Sequence, residues 1–195
     1  MKNVIGITGP TGSGKSIAVA AAKELGFAVI DCDEIVHNCL NNDTLCINAV
    51  AQAFGSDCIT NGAVNRKILA ARAFKDDEST LLLNNTVLPF AVTDILKRLA
   101  LTKENNVLLD APTLFESGLD EVCNQTVAVI SEKDLRLNRI IQRDGITKEA
   151  ALLRMSAGKD DTFYYKNAGA VIENNGTAKE FINKFTEILK DITEE

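Results

Sequence analysis

The sequence contains no stretch of about 18 consecutive apolar residues, so it predicts no membrane-spanning helix. Its beginning also lacks the successive charged, apolar and small-residue regions of a secretory signal peptide, since its apolar residues lead directly into a glycine-rich loop. Internal repeats and low-complexity tracts are missing as well. From these absences we expect a cytoplasmic protein that does not act on membranes.

Positive charge is also in short supply. There are 21 Lys and Arg against 27 Asp and Glu, which gives a net charge of −6 and predicts no general affinity for nucleic acid. Five cysteines are present, an odd number, and none has the C-x-x-C spacing of a zinc or redox site. Cys32, Cys39 and Cys46 recur every seven residues, and we expect them to be buried thiols on helices.

What the chain does have is a complete G-x-x-x-x-G-K-[ST] motif at residues 9–16, which is typical of a loop that binds nucleotide triphosphates. Its glycines allow successive N–H groups to point at phosphate oxygens. Lys15 is placed to reach the β- and γ-phosphates, and the hydroxyl of Ser16 can bind Mg²⁺. The strand predicted at 4–7 and the helix predicted at 17–25 provide the context that this motif requires.

Strands and helices alternate along much of the chain. Further strands are predicted at 27–30, 107–110, 126–130 and 170–173. Apolar strands separated by helices predict an α/β fold with a five-stranded parallel sheet covered by helices on both faces. Ser131 and Thr177 each begin a pattern typical of a capping box before a helix.

The organisation along the chain is that of one domain, because 195 residues can form one sizeable core. We expect the core at about 1–32, 106–134 and 164–195, and a monomeric protein. Residues 33–105 show long helical patterns without a clear buried strand, so they predict a helical insertion. Residues 135–163 are predicted to form a short lid.

Acidic residues follow the second predicted strand. Asp31 and Asp33 come at its carboxyl end, where ligands of open α/β sheets bind. His37 lies one helical turn after Asp33 and faces the same way. A carboxylate here could accept a proton from an attacking hydroxyl group, or either aspartate could simply cap a helix. For His37, a contact with substrate and a surface position are both open.

A third predicted strand ends in Asp110, as does the strand that carries the second Mg²⁺-binding carboxylate of phosphate-loop enzymes. Many strands end in aspartate, so this pattern is weak alone. Arg136, Arg139 and Arg143 share one face of a predicted helix. That face suits a lid that neutralises a moving phosphoryl group, and an ordinary solvated helix is the alternative.

With these residues in order, the chain resembles the dephospho-coenzyme A kinase family over almost its whole length. The resemblance rests on the loop at 6–16, on residues 29–33, on residues 83–89 and on Asp110-Ala111-Pro112-Thr113-Leu114-Phe115-Glu116. It continues through Arg139, Gln142-Arg143-Asp144 and residues 171–176. It implies a P-loop NTPase core, a helical insertion that binds the coenzyme A precursor, and a short lid.

The resemblance also implies a set of roles. The catalytic residues would be Asp33, Lys15 and Arg139, with Asp33 accepting the proton of the ribose 3′-hydroxyl. ATP would be bound by Thr11, Gly12, Ser13, Gly14, Lys15, Ser16, Ile17, Arg139, Arg143 and Asn175, with residues 174–176 near the adenine. Dephospho-coenzyme A would be bound by Thr8, Asp33, His37, Arg66, Leu88, Pro112 and Leu114. Mg²⁺ would be held by Ser16 and Asp110.

Four positions depart from the family pattern. Leu88 stands where the family usually has His, and Thr113 replaces a Leu. Gly158 stands where a Gln is usual in the lid, and Ile17 where Thr is common.

The activity implied is transfer of the γ-phosphoryl group of ATP to the 3′-hydroxyl of dephospho-coenzyme A. Two other functions remain open at this point. One is a different small-molecule kinase on the same core, acting on a nucleoside, a sugar or shikimate. The other is a nucleotide-dependent switch or regulatory ATPase, although the sequence has neither an N-K-x-D segment for guanine nor an L-S-G-G-Q signature.

Overall fold

The computed structural model describes residues 2–194, and the chain divides into two compact units. The first unit combines the residues up to Ile30 with those from Lys103 onward, and the second is Asp31–Thr102. The strands are β1 (Asn3–Thr8), β2 (Ala28–Asp31), β3 (Ile59–Thr60), β4 (Ala63–Val64), β5 (Asn106–Asp110), β6 (Gln125–Ile130) and β7 (Ala170–Glu173). The helices are α1 (Lys15–Glu24), α2 (Cys32–Asn42), α3 (Thr44–Phe54), α4 (Arg66–Ala73), α5 (Asp77–Leu101), α6 (Lys133–Asp144), α7 (Lys148–Ser156), α8 (Asp161–Asn167) and α9 (Ala178–Glu194).

The first unit is built on a five-stranded parallel sheet in the order β2-β5-β1-β6-β7, which confirms the predicted fold class. The register aligns the carboxyl ends of the strands. Ile7 of β1 lies opposite Asp110 of β5, and Thr8 lies opposite Ala128 of β6. The segments that follow β1, β5, β6 and β7 therefore emerge at one edge of the sheet, where ligands of such folds bind.

Helices cover both faces of this sheet, as β6 shows. Its side chains point alternately to opposite faces, as in any strand. Val127 and Val129 belong to the large core cluster formed with α1 and α9. Ala128 and Ile130 belong to the cluster around Tyr164 of α8. Burial of the Tyr164 hydroxyl raises its pKa to about 12.

The second unit is mostly helical, with α2, α3 and α4 packed on α5. Its helices bury Ile35, Val50 and Ile95, among others. It also contains a short antiparallel hairpin of β3 and β4 that our sequence analysis did not predict. Asn61 and Gly62, with φ of 54° and 80°, form its turn. Asn-Gly between two apolar pairs is a strong hairpin signal, so the sequence did contain the information.

The two predicted capping boxes have different outcomes. The one at Thr177 is confirmed, because the Glu180 carboxylate accepts from the Thr177 N–H at 2.8 Å and the Glu180 N–H donates to the Thr177 hydroxyl at 3.3 Å. The one at Ser131 is wrong. Helix α6 begins at Lys133 without a side-chain cap, and the Ser131 hydroxyl instead donates to the Asn174 carbonyl oxygen at 2.9 Å.

The expectation of buried thiols is confirmed for Cys32, Cys39 and Cys46, which are buried on α2 and α3. Burial raises the pKa of Cys46 to about 12. Within residues 2–194, no helix has both the length and the apolar character needed to cross a membrane.

Candidate active site

The glycine-rich motif follows the end of β1 and continues into the first turn of α1, so its N–H groups lie at the free amino end of that helix. Gly14 directly precedes α1 with φ of 99°, a backbone conformation that side chains disfavour. A Cβ atom at Gly14 would lie 2.1 Å from Nδ2 of Asn174. The glycine is therefore required both by the local turn and by a neighbouring side chain.

Two arginines of α6 lie against the carbonyl groups of this loop. Nε of Arg136 donates to the Thr11 carbonyl oxygen at 3.0 Å. Nη1 of Arg139 lies 3.4 Å from the Gly12 carbonyl oxygen and 3.3 Å from that of Ser13. Both guanidinium groups thus face the outside of the loop, where peptide oxygens point.

Arg136 is the more buried of the two, with 4% of the residue exposed. Its Nη1 lies 3.4 Å from a carboxylate oxygen of Asp161, the first residue of α8. Burial lowers the pKa of Arg136, and the Asp161 carboxylate opposes that shift. A buried guanidinium is stable only when it is paired and hydrogen bonded, and both conditions are met here.

Asn174 holds the same loop from the segment after β7. Its Nδ2 donates to the Ser13 carbonyl oxygen at 2.8 Å, and the residue is 1% exposed. Its own carbonyl oxygen accepts from Nη2 of Arg139 at 3.0 Å, and its N–H donates to Ile130 at 2.9 Å. Asn174 is thereby fixed between the end of β6 and the loop.

The Ser13 hydroxyl has no hydrogen-bond partner in the structure. Within residues 2–194 it is the one buried side-chain nitrogen or oxygen of which this is true, and Ser13 is only 1% exposed. Buried hydroxyl groups are normally bonded. A phosphate oxygen held in the loop would supply the acceptor that this group lacks.

Lys15 forms an ion pair with Asp110. Nζ of Lys15 lies 2.8 Å from a carboxylate oxygen of Asp110, and the side chains are 17% and 19% exposed. Asp110 ends β5 beside β1, so the pair lies at the sheet edge from which the loop emerges. The structure thus places together two residues that the sequence analysis assigned to phosphate and metal binding, and it leaves Ser16 exposed in the first turn of α1.

Three of the residues predicted to bind dephospho-coenzyme A lie in the first unit, namely Thr8, Pro112 and Leu114. The Thr8 hydroxyl donates to the Pro112 carbonyl oxygen at 3.2 Å, which joins the ends of β1 and β5. Leu114 is fully buried and packs on Gly6, where a Cβ would lie 2.8 Å from it. Their contacts with substrate stay predictions, and the contacts seen here are within the protein.

The arginine face predicted on α6 does not have one common environment. Arg143, unlike Arg136 and Arg139, is exposed and bonds the neighbouring Asp144 carboxylate at 2.7 Å. That guanidinium lowers the pKa of Asp144. Asn175, predicted to bind ATP, accepts with its side-chain oxygen from the Glu132 N–H at 2.9 Å. The ATP contacts of these residues stay predictions.

In the second unit, the structure shows which of Asp31 and Asp33 caps a helix. Asp31 caps α2, because its carboxylate accepts from the Glu34 N–H at 2.9 Å. Asp33 lies in the first turn of that helix and is exposed. Asp33 is therefore not the cap, and its side chain is presented at the helix surface.

Asp33 and His37 line one cavity of about 710 Å³ within this unit, together with Arg66 at the start of α4. Nη1 of Arg66 donates to Nδ1 of His37 at 2.8 Å, so this ring nitrogen acts as an acceptor. Leu88 does not line this cavity. It is half-buried on α5.

Sequence reasoning missed the contribution of Arg136 and Asn174 to the phosphate loop. Arg136 was grouped with a lid face, and Asn174 was placed near the adenine only through the resemblance. The one usable signal for Arg136 is its place between Leu135 and Leu137, three residues before Arg139. No group of three or more His, Cys, Asp or Glu side chains within residues 2–194 is arranged to hold a metal ion.

The chain is similar to one family of known proteins over most of its length. The profile of the family described as Dephospho-CoA kinase matches residues 3–180. The Dephospho-CoA kinase of Geobacillus kaustophilus is 36% identical over 194 residues, which cover 97% of this chain and 96% of that protein. A crystal structure of a Thermus thermophilus protein superposes with a TM-score of 0.82 at 27% identity, with 97% of each chain covered. The dephospho-CoA kinase from Campylobacter jejuni superposes with a TM-score of 0.72 at 29% identity, with 100% and 98% covered.

Proposed function

Because this chain belongs to the dephospho-CoA kinase family, we propose that it transfers the γ-phosphoryl group of ATP to the ribose 3′-hydroxyl of dephospho-CoA, giving CoA and ADP. The observation that carries the proposal is the family match at 3–180 together with an intact phosphate loop folded between β1 and α1. In the reaction, a bond forms between the 3′-oxygen and the γ-phosphorus. The bond from that phosphorus to the β–γ bridging oxygen breaks.

The loop at 9–16 is the ATP-binding element in this proposal. Its N–H groups and the ammonium group of Lys15 neutralise the polyphosphate, and the Ser13 hydroxyl gains the acceptor it lacks. Phosphoryl transfer leaves little covalent chemistry to the protein, so charge neutralisation and alignment supply most of the catalysis. Arg143, and Arg139 once it turns away from the loop carbonyl oxygens, are proposed to add positive charge around the transferred group.

Ser16 and Asp110 are the proposed Mg²⁺ residues. A hydroxyl and a carboxylate are hard oxygen donors of the kind that suit Mg²⁺, which keeps several water ligands and needs few from the protein. Bound there, Mg²⁺ would supply charge neutralisation at the β- and γ-phosphates. Asp110 would then share its carboxylate between Lys15 and the metal ion.

Asp33 is the proposed acceptor of the hydroxyl proton. Its carboxylate is exposed in the first turn of α2, where it can receive a proton from a substrate. In a loose transition state the proton leaves late, so a strong base is unnecessary. His37 and Arg66 are proposed to bind dephospho-CoA in their cavity, where a guanidinium suits its diphosphate group. Leu88 is proposed to add an apolar contact.

The experiment that tests this function is ADP formation by the purified protein with and without dephospho-CoA. We expect ADP only with the acceptor, and phosphorus NMR of the product should show a new 3′-phosphomonoester. Turnover of a nucleoside, a sugar or shikimate instead would identify another small-molecule kinase. ADP formation that no acceptor changes would favour a regulatory ATPase.

Asp33→Asn tests the proton-accepting role separately. Turnover should fall by about 10²–10⁴-fold while ATP affinity stays unchanged, because the amide keeps the shape of the side chain but cannot take the proton. Asp77→Asn is the matched control, since Asp77 is also exposed in the first turn of a helix of the second unit. Near-normal turnover of Asp33→Asn would refute the role.

A cytoplasmic location and a monomeric state complete the proposal. Light scattering coupled to size-exclusion chromatography, repeated with Mg²⁺ and ATP, tests the second. A mass well above the 21.1 kDa of one chain that persists on dilution would contradict the monomeric state.

A further inference from the structure

Side chains from outside the phosphate loop bond its carbonyl oxygens. N–H groups of such a loop converge on one side to meet an anion, so the carbonyl oxygens of the same peptides point to the other. Here three consecutive carbonyl oxygens, those of residues 11–13, accept from side chains of α6 and of the segment after β7. Two of the donors, Arg136 and Asn174, are only 4% and 1% exposed.

We propose that Arg136 and Asn174 are positioning residues that fix the direction of the loop's N–H groups. The inference rests on the proposed function, because it takes the loop to bind ATP. Since a peptide unit is planar, holding the Thr11 oxygen also orients the N–H of Gly12, and holding the Ser13 oxygen orients the N–H of Gly14. Each side chain thus sets one amide that faces the phosphates.

Asn174 is suited to this task by its own anchoring. Its N–H and its carbonyl oxygen are both bonded, to Ile130 and to Arg139 respectively. The side-chain amide is therefore presented to the Ser13 oxygen from a fixed backbone, at 2.8 Å and out of water. A hydrogen bond in such surroundings is electrostatically stronger than one in solvent.

Arg136 has a comparable anchor. Its Nε donates to the Thr11 oxygen, and its Nη1 faces the Asp161 carboxylate of α8. The fork of the guanidinium allows both contacts from one rigid group, which a lysine ammonium cannot reproduce. The orientation of the Gly12 N–H therefore depends on a helix outside the loop.

The test compares two ligands, ADP and AMP, by calorimetric titration of Asn174→Ala and Arg136→Met. AMP lacks the β-phosphate that the aligned N–H groups bind, so its affinity should stay near that of the wild type. ADP affinity and the kcat/KM for ATP should each fall by about 10²-fold, while KM for dephospho-CoA stays unchanged. Arg136→Lys should recover part of the loss, since an ammonium can still donate to the Thr11 oxygen.

Matched controls are Asn183→Ala on the exposed side of α9 and Arg98→Met near the end of α5, and neither should alter ADP affinity. Equal losses of ADP and AMP affinity, in step with a lower melting temperature, would show a merely structural role and overturn the proposal. Unchanged ADP affinity would overturn it as well.

Should Asn174→Ala or Arg136→Met not fold, Asp161→Asn replaces them. Asp161 has a side chain that is 37% exposed, and its loss frees Arg136 without opening the core. A fall in ADP affinity without a fall in AMP affinity is again expected, and its absence counts against the proposal. Wild-type protein that fails to phosphorylate dephospho-CoA would refute the proposed function alone, because ADP binding still tests the loop.

Discussion

Replacing Gly14 by alanine adds one methyl group where the phosphate loop has no room for it. The φ of 99° at Gly14 is in the left-handed region, where a side chain costs about 1–2 kcal/mol. The new Cβ would lie 2.1 Å from Nδ2 of Asn174, so that amide must move and lose its bond to the Ser13 oxygen. The Ser13 oxygen keeps its contact with Arg139, but leaving the buried Asn174 amide without a partner costs about 1–3 kcal/mol more.

Gly26→Ala separates these two costs. Gly26 has a similar φ of 83°, and nothing lies within 4 Å of the position of its Cβ, so alanine there adds backbone strain alone. Both substitutions restrict the unfolded chain equally, and that effect cancels between them. At 2–4 °C for each kcal/mol in a chain of this size, we expect Gly26→Ala to lower the melting temperature by about 2–8 °C. Gly14→Ala should lower it by about 2–12 °C more.

Two assays check this prediction. Thermal unfolding followed by circular dichroism gives the difference in melting temperature, and calorimetric titration with ADP gives the affinity. Gly14→Ala should lose ADP binding because its loop N–H groups are displaced, whereas Gly26→Ala should bind ADP as the wild type does. The reasoning is refuted if Gly14→Ala binds ADP normally and is no less stable than Gly26→Ala.

Three further changes test other parts of the first unit. Lys15→Met removes the loop's ammonium group, so ADP affinity and turnover should both fall, and unchanged affinity by titration would contradict this. Thr177→Ala removes the cap of α9 that pairs with Glu180, and urea denaturation should show a loss of about 1 kcal/mol rather than an unchanged midpoint. Burial raises the pKa of Cys123 from 9.0 to about 12, so the folded state keeps a proton that the unfolded state releases. The free energy of unfolding should therefore fall as the pH rises from 9 to 12, and less steeply in Cys123→Ala.

The elements that form the sheet could be predicted from sequence because their signals are local. Consecutive residues are enough to indicate a buried strand, a loop with glycines at fixed positions, or a helix. The alternation of strands and helices then predicts a parallel sheet. The hairpin turn at Asn61 was equally local and was overlooked. The ion pair between Lys15 and Asp110 joins two residues that the motifs had already singled out, and only its geometry was new.

The different environments of Arg136, Arg139 and Arg143 could not be predicted in the same way. Helical spacing predicts that all three lie on one face of α6. Spacing does not show how far along the helix axis the phosphate loop extends, and this decides which of the arginines contact it. The first two arginines lie against the loop carbonyls, while Arg143 is exposed and bonds Asp144. That distinction arises only from tertiary packing.

The failed capping box at Ser131 has the same physical origin. A serine before a helix ordinarily accepts from an N–H three residues on, and that bond costs no long-range order. Here its hydroxyl donates to Asn174, 43 residues away, and accepts from Arg139 at 3.0 Å, while Arg139 also donates to Asn174. Because the Asn174 carbonyl oxygen is buried, water cannot replace the Ser131 donor there, whereas water can bond an uncapped N–H at the exposed start of α6. The predicted local cap is therefore replaced by a hydrogen-bond network of Ser131, Arg139 and Asn174, which joins the ends of β6 and β7 to the phosphate loop. Mutations within that network should therefore not be additive.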